Sequence, residues 1–358
     1  MSAPIVTEVA GLTAAWVSEA LGTPVSAVVA ERVGTGQIGT CYRLRLTAAD
    51  PDAPASVLVK LPAADQGSRD LLAGAYRGEL IFYAEIAPTV AVRAPACHFA
   101  AIAPDSGDFT LVMVDLAPAE QGDQGRWLQR GPGARRGGQP GRPARPRWCD
   151  PTLEDFDHLA LSGPEDAAIL AELAGPTTEL FIAGLGDLLA AEDVATLRAC
   201  VPLIEAWSLA RPERFGLVHG DYRLDNLMFA PVGSPPEVSR DVPAVVAVDW
   251  QTLSLGLPAR DLAYVVGTSL DPELRRASER DLVAAYHGAL TSYGVSGYSL
   301  EECWDDYRFA MLQGPLVATF GCAYGTRSER GDRMFAAMVA RSCAAIRELG
   351  TLGLVAQA

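Results

Sequence analysis

Residues 217–229 read Leu-Val-His-Gly-Asp-Tyr-Arg-Leu-Asp-Asn-Leu-Met-Phe, and this stretch decides the fold of the chain. Two apolar residues lead into a polar loop and an apolar run leads out of it, which is the pattern of a loop held between two buried anchors. The loop carries Asp221 and Asn226, five positions apart. Such a carboxylate can accept the proton of an attacking hydroxyl, and such an amide oxygen can help to hold Mg²⁺ on nucleotide phosphates. The stretch therefore predicts a phosphoryl-transfer loop.

A second acidic residue follows the loop at the end of an apolar run. Residues 244–248 are Ala-Val-Val-Ala-Val, and they lead directly into Asp249-Trp250-Gln251. A short apolar run of this kind is typical of a buried strand. A carboxylate oxygen at the end of such a strand is a candidate ligand for Mg²⁺. We therefore expect Asp249 to share a metal site with Asn226.

Together these residues carry a family resemblance. The set His219-Gly220-Asp221, Asn226 and Asp249-Trp250 resembles the aminoglycoside phosphotransferase and choline kinase superfamily, and most of all its bacterial phosphotransferase-family branch. The resemblance implies an α+β, two-lobed, protein-kinase-like fold. Its β-rich N-terminal, nucleotide-binding lobe would cover residues 1–114, its mostly helical C-terminal lobe residues 115–358, and the active site the cleft between them. It also implies a small-molecule kinase that moves the γ-phosphoryl group of ATP or GTP to a hydroxyl.

The resemblance also implies a role for each candidate site residue. Asp221 would be the catalytic base, and Asn226 and Asp249 would hold Mg²⁺. Lys60 would contact the nucleotide phosphates, with Glu79 as its ion-pair partner. The remaining nucleotide-binding positions are three glycines of a turn that faces the phosphates and two residues whose backbone meets the base: Gly34, Gly36, Gly39, Val114 and Leu116.

Composition supports two of these positions independently. The 29 basic residues are 28 Arg and a single Lys, Lys60, and the chain has a single Asn, Asn226. A bias of this kind, as a GC-rich genome produces, has removed Lys and Asn almost everywhere. Arg replaces Lys at most solvated positions, but its broad planar fork does not fit a site shaped for a compact ammonium. Lys60 and Asn226 are therefore expected to have roles that no other residue type fills.

The order of predicted elements agrees with a β-rich half followed by a helical half. Residues 41–47 alternate apolar and polar side chains, as in a half-buried strand. Strands are predicted at residues 28–33, 41–47, 57–61, 96–103, 109–115 and 244–248. Helices are predicted at residues 13–21, 69–86, 167–190 with a break at Gly175-Pro176 left open, 192–210, 258–270, 272–293, 300–319 and 327–349.

Charge and cysteine usage restrict the partners and the compartment. The chain has 358 residues and a net charge of −15, which argues against binding to nucleic acid or to an anionic membrane. No apolar run approaches the roughly 20 residues that span a membrane, and no signal peptide is apparent. The seven cysteines show no C-x-x-C spacing, so buried, reduced thiols in a cytoplasmic protein are expected. The sequence does not indicate an oligomeric state.

Residues 125–147 break the patterns around them. From Arg126 to Arg147 there are seven Arg, five Gly and four Pro and no acidic residue. One interpretation is a basic, disordered linker. The other is a local slip of the reading frame, because the codons of residues 138–146, read one base later, can encode Val-Ser-Leu-Ala-Gly-Leu-His-Ala-Pro, an amphipathic helix end. Either way, we expect no ordered helix here, and sequencing of the coding DNA distinguishes the two interpretations.

Two alternatives to a small-molecule kinase remain. A catalytically silent kinase fold would bind nucleotide or a partner, and a disrupted segment at 125–147 would favour it. A protein kinase is disfavoured because His-Gly-Asp and Asp-Trp-Gln stand where His-Arg-Asp and Asp-Phe-Gly are expected. The acceptor stays open between aminoglycoside-like compounds, amino alcohols and hydroxyacyl compounds, as does the choice between ATP and GTP.

Several neighbouring residues are assigned supporting parts. His219 is expected to support the loop by hydrogen bonds, and the resemblance assigns Asp261 to anchoring it. Asp225 is expected to be solvated or to face the substrate. Three aromatic residues could line a pocket by cation–π contacts but are more often core at such spacing: Trp250, Trp304 and Tyr307.

Overall fold

The computed structural model describes residues 3–34, 39–124, 147–156, 159–231 and 245–358. Several positions singled out in the sequence lie outside these ranges. They are Gly36, nearly all of the anomalous segment 125–147, and Ala244 at the start of the predicted strand. Arg147 is the one residue of that segment that is described. The two interpretations of the segment, and the expectation that it forms no helix, therefore stay predictions.

The N-terminal part of the chain forms a five-stranded antiparallel sheet with strand order β1-β2-β3-β5-β4. The predicted strands are confirmed, with ends that differ by up to three residues. Their bounds are β1 Val25–Val33, β2 Thr40–Ala48, β3 Ser56–Leu61, β4 Cys97–Ile102 and β5 Phe109–Val114. Cys41 lies opposite Lys60 in the pairing of β2 with β3. Because side chains alternate along a strand, Lys60 lies on the opposite face from Val57, Val59 and Leu61.

One face of this sheet is apolar and covered by a helix. Helix α1 (Ala14–Leu21) begins at Thr13, whose side-chain oxygen accepts from the Trp16 backbone N–H, and it buries Trp16 and Val17. These residues form one core with Leu44, Val57, Val59, Leu61 and Val112. Packing of the apolar face in this way leaves the other face of β2 and β3 to carry polar side chains.

Helix α2 (Gln66–Ile81) continues into a π-helical turn at Phe82–Ile86, so the helix predicted at 69–86 is confirmed but is not regular throughout. Single π-turns inside helices are rare and frequent at functional sites. Glu79, Phe82 and Tyr83 are buried, and all three lie on one face of the helix because they are three and four positions apart.

The chain divides into two compact units. The first unit contains Met1–Glu120 and Met228–Leu253, and the second contains Gln121–Leu227 and Ser254–Ala358. The predicted lobes, 1–114 and 115–358, are two consecutive stretches of the sequence, and this division stays a prediction. The strand that precedes Asp249 groups with the first unit. This strand, β9 (Val245–Ala247), is adjacent to β8 (Leu227–Phe229), and β6 (Glu120–Gln121) lies at the first boundary.

The second unit is mostly helical. Its short strands β7 (Gly216–Val218) and β10 (Ser254–Gly256) pair antiparallel and flank the loop at 219–226. Its helices are α3 Pro164–Leu185, α4 Ala191–Cys200, α5 Ile204–Leu209, α6 Ala259–Ser269, α7 Pro272–Ser292, α8 Leu300–Phe309, α9 Gln313–Tyr324, α10 Glu329–Leu349 and α11 Thr351–Val355. Sheet in one unit and helices in the other make the fold α+β, as predicted.

Two prolines act differently on the predicted helices. The prediction left open whether a helix break occurs at Gly175-Pro176, and helix α3 runs through Pro176 without one. The helix predicted at 192–210 is instead interrupted by a short 3₁₀ turn at Val201–Leu203, because Pro202 has no N–H to donate. Among the described residues, one helix, residues 164–188, is long and apolar enough to cross a membrane, with 28% of its most apolar window buried.

The aromatic residues that could have lined a pocket are mainly core. Tyr307 is fully buried and donates its hydroxyl proton to Glu279. Trp304 packs against Tyr307 with the two rings tilted by 32°, and the Arg280 guanidinium lies over it, 3.5 Å from its ring centre. The cation–π contact of Trp304 is thus made by Arg280 of the protein and not by a ligand.

Candidate functional sites

The chain's only lysine lies at the centre of an ion cluster in the first unit. Lys60 Nζ donates to Glu79 Oε1 at 2.8 Å and to Asp249 Oδ1 at 2.9 Å. Strand β3 supplies the ammonium, helix α2 supplies Glu79, and the loop after β9 supplies Asp249. We call these three residues the lysine cluster. The predicted ion pair between Lys60 and Glu79 is present, and Asp249 joins it from 189 positions along the chain.

Burial and charge set the protonation of this cluster. Burial lowers the pKa of Lys60, but Glu79 and Asp249 together raise the pKa well above its ordinary value, so the ammonium stays charged. Burial raises the pKa of Glu79 to about 7 despite the opposing effect of Lys60. Burial is the main cause, because 1% of the Glu79 surface is exposed, and the nearby Asp249 carboxylate raises the pKa further.

Asp249 has an unusual backbone held by aromatic side chains. Its φ is +65°, a left-handed conformation that costs a non-glycine residue about 1–3 kcal/mol. The Asp249 N–H donates to the Tyr83 hydroxyl at 3.3 Å. The next residue, Trp250, is buried and stacks on Phe82 with ring centres 3.6 Å apart. Phe82 and Tyr83 of the π-helical turn therefore fix the segment that carries Asp249, and Trp250 is a core residue.

The glycine-rich turn is partly described. Gly34 has a φ of +74°, which favours glycine. A Cβ at Gly39 would lie 2.8 Å from the Leu61 carbonyl oxygen and 3.6 Å from the Lys60 side chain, so only glycine allows this close approach of β2 to β3. Gly36 lies outside the described residues. The two described glycines thus lie at the ends of the turn that precedes the lysine strand.

Val114 and Leu116 flank a carboxylate that is tightly held. The Val114 N–H donates to the Ala96 carbonyl oxygen. Asp115 accepts from Arg43 Nε at 2.6 Å and from the Ser56 hydroxyl at 2.7 Å. Burial raises the pKa of Asp115, but these hydrogen bonds outweigh it and leave the pKa lowered. The hydrogen bonds of the Asp115 side chain therefore hold the backbone between Val114 and Leu116 in place.

Asp221 is the most heavily hydrogen-bonded carboxylate of the loop in the second unit. Its Oδ1 accepts from the Tyr264 hydroxyl at 2.7 Å. Its Oδ2 accepts from Asn226 Nδ2 at 2.9 Å and from Arg223 Nε at 3.1 Å. We call Asp221, Arg223, Asn226 and Tyr264 the aspartate cluster. Sequence reasoning brought Asp221 and Asn226 together but missed Arg223 and Tyr264.

The backbone before Asp221 is held from helix α6 and helix α9. Asp261 accepts from the His219 N–H at 2.7 Å and from the Gly220 N–H at 3.0 Å. Gln313 Nε2 donates to the Gly220 carbonyl oxygen at 2.9 Å. Gly220 has a φ of +82°, and His219 Nδ1 accepts from the Asp221 N–H. The anchoring expected of Asp261 and the loop support expected of His219 are thus both present.

Similarity to known proteins agrees with this geometry. Residues 197–294, which include Asp221, Asp249 and Asp261, match the model of the ecdysteroid kinase-like family. Choline kinase from Cryptosporidium parvum Iowa II has a similar structure, with a TM-score of 0.56 and 10% identity over 91% of each chain. The chain has the fold of the protein-kinase-like phosphotransferase superfamily. A comparison with curated proteins finds no match.

Two further solved structures are similar to this chain with lower scores. Ethanolamine kinase from Plasmodium vivax has a TM-score of 0.44 and 9% identity, and the match covers 88% of this chain and 82% of that one. The GDP complex of aminoglycoside 2'-phosphotransferase-IIIa has a TM-score of 0.43 and 15% identity, over 89% of this chain and 93% of that one.

One loop residue of the kinase-like fold differs from expectation. Asp225, predicted to be solvated or to face the substrate, is buried and accepts from the Gln124 N–H at 2.8 Å. Gln124 is itself fully buried, and its Oε1 accepts from the Leu224 N–H. Asp225 therefore ties the loop to the segment before Gln124, and its other oxygen lies 3.5 Å from Arg223 Nη1.

Asn226 and Asp249 each carry a side-chain oxygen of the kind that a hard cation such as Mg²⁺ binds. Asn226 Nδ2 donates twice, to the carbonyl oxygen and to Oδ2 of Asp221, so its orientation is fixed. Within the described part of the chain no group donates to the Asn226 amide oxygen, which leaves that oxygen available as a ligand. The Asp249 side chain is 43% exposed. Mg²⁺ takes one or two such oxygens plus phosphate oxygens and water.

Removal of the Asp261 carboxylate is expected to destabilise the protein. In Asp261→Ala, two buried backbone N–H groups lose their acceptor, and the free energy of unfolding should fall by about 2–4 kcal/mol. The control is Asp271→Ala, which removes a carboxylate that also accepts from two backbone N–H groups, but at the exposed start of α7. That change should cost about 1 kcal/mol. Urea unfolding measures both, and equal losses would contradict the anchoring role.

Proposed function

We propose that this protein is a small-molecule kinase that transfers the γ-phosphoryl group of ATP or GTP to a hydroxyl. The observation that carries the proposal is the lysine cluster, in which the chain's single lysine pairs with Glu79 and Asp249. A buried ammonium between two carboxylates costs desolvation energy, and replacement by apolar residues is often neutral or stabilising. A charged lysine retained in such a position indicates a chemical role, and the kinase-like fold supports phosphate binding as that role.

The residues of the first unit bind and orient the nucleotide in this proposal. Lys60 contacts the α- and β-phosphates, and Glu79 holds the ammonium in place through its hydrogen bond. Backbone N–H groups of the glycine-rich turn face the phosphates, since glycines permit close backbone approach. Backbone groups of Val114 and Leu116 meet the base, and Asp115 keeps that segment rigid through Arg43 and Ser56.

Asp221 handles the proton of the acceptor. It accepts a hydrogen bond from the substrate hydroxyl and takes its proton as the new O–P bond forms. At the same time the bond between the γ-phosphorus and the bridging oxygen breaks, and the nucleoside diphosphate leaves. Asp221 then returns the proton to solvent. Asn226 and Asp249 would hold Mg²⁺, which when bound offsets charge on the phosphate oxygens.

The proposal is tested by nucleotide-dependent thermal stabilisation. Mg-ATP or Mg-GTP at about 100 times its Kd should stabilise the folded protein by about 2.7 kcal/mol. Lys60→Ala and Asp249→Ala should abolish this shift, because both remove groups that hold the phosphates or their metal. Arg45→Ala is the control, since it removes only an exposed ion pair with Glu31 in the same sheet.

The outcomes separate the proposal from its alternative. A shift that the two cluster variants lose and the control keeps supports a working nucleotide site, which a silent fold that binds nucleotide would also show. Turnover of a compound in a screen of hydroxyl acceptors then separates the two and identifies the acceptor class. A folded wild-type protein that shows no shift with either nucleotide would overturn the proposal in favour of a silent fold. We place the activity in the cytoplasm, where nucleotides are abundant and where the seven free cysteines would stay reduced.

A further inference from the structure

Helix α6 holds three consecutive residues of the loop through two side chains. Asp261 accepts from the N–H groups of His219 and Gly220. Tyr264, three positions later on the same helix face, donates its hydroxyl proton to Asp221.

Among the described residues, the hydrogen bonds of Asp221 leave one acceptor site on its carboxylate unused. A carboxylate offers about four lone-pair sites, two on each oxygen. Asn226 and Arg223 occupy both sites on Oδ2, and Tyr264 occupies one site on Oδ1. The Asp221 side chain is 21% exposed, so the remaining site is within reach of a ligand. That site lies on Oδ1, the oxygen that Tyr264 holds.

Tyr264 is itself fixed by its surroundings. It is 1% exposed and packs in a core with Phe181, Leu185 and Leu197. Its ring therefore has no alternative position, and its hydroxyl presents a fixed donor to Asp221. Arg223 and Asn226 belong to the same loop as Asp221 and move with it, whereas Tyr264 ties the carboxylate to a packed helix.

We infer that Tyr264 is a positioning residue for phosphoryl transfer: it fixes the rotamer of Asp221 and directs the one free site on Oδ1 toward the acceptor hydroxyl. This inference rests on the proposed function. A merely structural role would instead satisfy a buried hydroxyl, and its loss would affect stability but not turnover. The two roles are distinguished by the effect on kcat at constant KM for the nucleotide.

The test compares Tyr264→Phe with Tyr307→Phe. Both tyrosines are buried in the second unit and both donate to a carboxylate, at 2.7 Å and 3.0 Å respectively, but Tyr307 bonds Glu279. The assay is hydrolysis of Mg-ATP, or of Mg-GTP if that nucleotide gives the thermal shift, with water as the acceptor. Tyr264→Phe should lower kcat by about 10-fold to 100-fold with KM changed less than about twofold. Tyr307→Phe should leave both constants near their wild-type values.

A double variant tests whether Tyr264 acts through Asp221. If it does, Tyr264→Phe combined with Asp221→Asn should be no slower than Asp221→Asn alone. Wild-type turnover in Tyr264→Phe, an equal loss in Tyr307→Phe, or a further loss in the double variant would each overturn the inference while leaving the proposed function intact. Absence of turnover in the wild-type protein, both with water and with every compound of the hydroxyl screen, would overturn the proposed function and this inference with it.

Discussion

Lys60→Met is expected to lower the free energy of unfolding by about 3–5 kcal/mol, because it leaves Glu79 buried without its counter-ion. Glu79 is 1% exposed, and hydrogen bonds from Lys60 and Gln251 oppose the rise of its pKa that burial causes. The double variant Lys60→Met/Glu79→Met should return the free energy of unfolding to within about 2 kcal/mol of wild type, since apolar replacement of a whole buried pair is often neutral. It should not restore nucleotide binding.

The destabilisation of Lys60→Met should grow with pH. Burial already raises the pKa of Glu79 from 4.5 to about 7 in the presence of Lys60, and loss of the ammonium raises it further. Below about pH 7 the folded wild-type protein keeps the same Glu79 proton, whereas above about pH 7 only the folded variant keeps it. The difference in stability therefore grows as pH rises past about 7. Urea unfolding at about pH 5 and about pH 8 measures the effect. A loss that does not depend on pH would contradict the burial of an unpaired Glu79.

Asp221→Asn is expected to lower kcat by about 10²–10⁴-fold while nucleotide binding persists. Asn keeps the shape of the side chain but cannot accept the hydroxyl proton. Lys60 and Asp249, which carry the proposed phosphate contacts, are untouched by the change. The rate is measured on an acceptor from the hydroxyl screen, or on water, and binding is measured by the thermal shift with Mg²⁺ and nucleotide.

The matched control for Asp221→Asn is Asp305→Asn. Asp305 pairs with Arg211 in the same unit and is 40% exposed, so its change alters charge equally without touching the loop. It should leave kcat within about twofold, since exposed pairs contribute little. Loss of the nucleotide-dependent shift in Asp221→Asn would contradict a role confined to the acceptor hydroxyl.

Local pattern predicted the elements well where one physical effect dominates. Residues 41–47 alternate because strand β2 is covered on one face only, and this alternation predicted the strand correctly. The continuous course of α3 through Pro176 was left open, since Pro lacks the N–H that a regular helix needs and sequence does not show whether surrounding packing compensates. The burial of Asp225 was missed because its partner, Gln124, lies 101 positions away.

In the candidate sites, too, residues within a local motif were predicted, whereas contacts between residues far apart in the sequence were missed. Lys60, Glu79 and Asp221 were found from residue type and motif, and the pairing of Lys60 with Glu79 followed from the resemblance. Tyr264 was missed because 43 positions separate it from Asp221, although its place three residues after Asp261 on a predicted helix was a usable signal. Arg223 lies inside the loop motif and pairs with Asp221 and Asp225, but the sequence analysis assigned it no role.

The aromatic contacts of helix α2 have a consequence for how the first unit can move. Glu79 accepts a hydrogen bond from the Lys60 ammonium. One turn further, Phe82 stacks on Trp250 and the Tyr83 hydroxyl accepts from the Asp249 N–H. A rotation or slide of this helix cannot release the lysine without also dragging the strained aspartate out of its left-handed conformation. The positions of Lys60 and Asp249 are thus coupled through this helix, and a movement of the helix displaces both residues together.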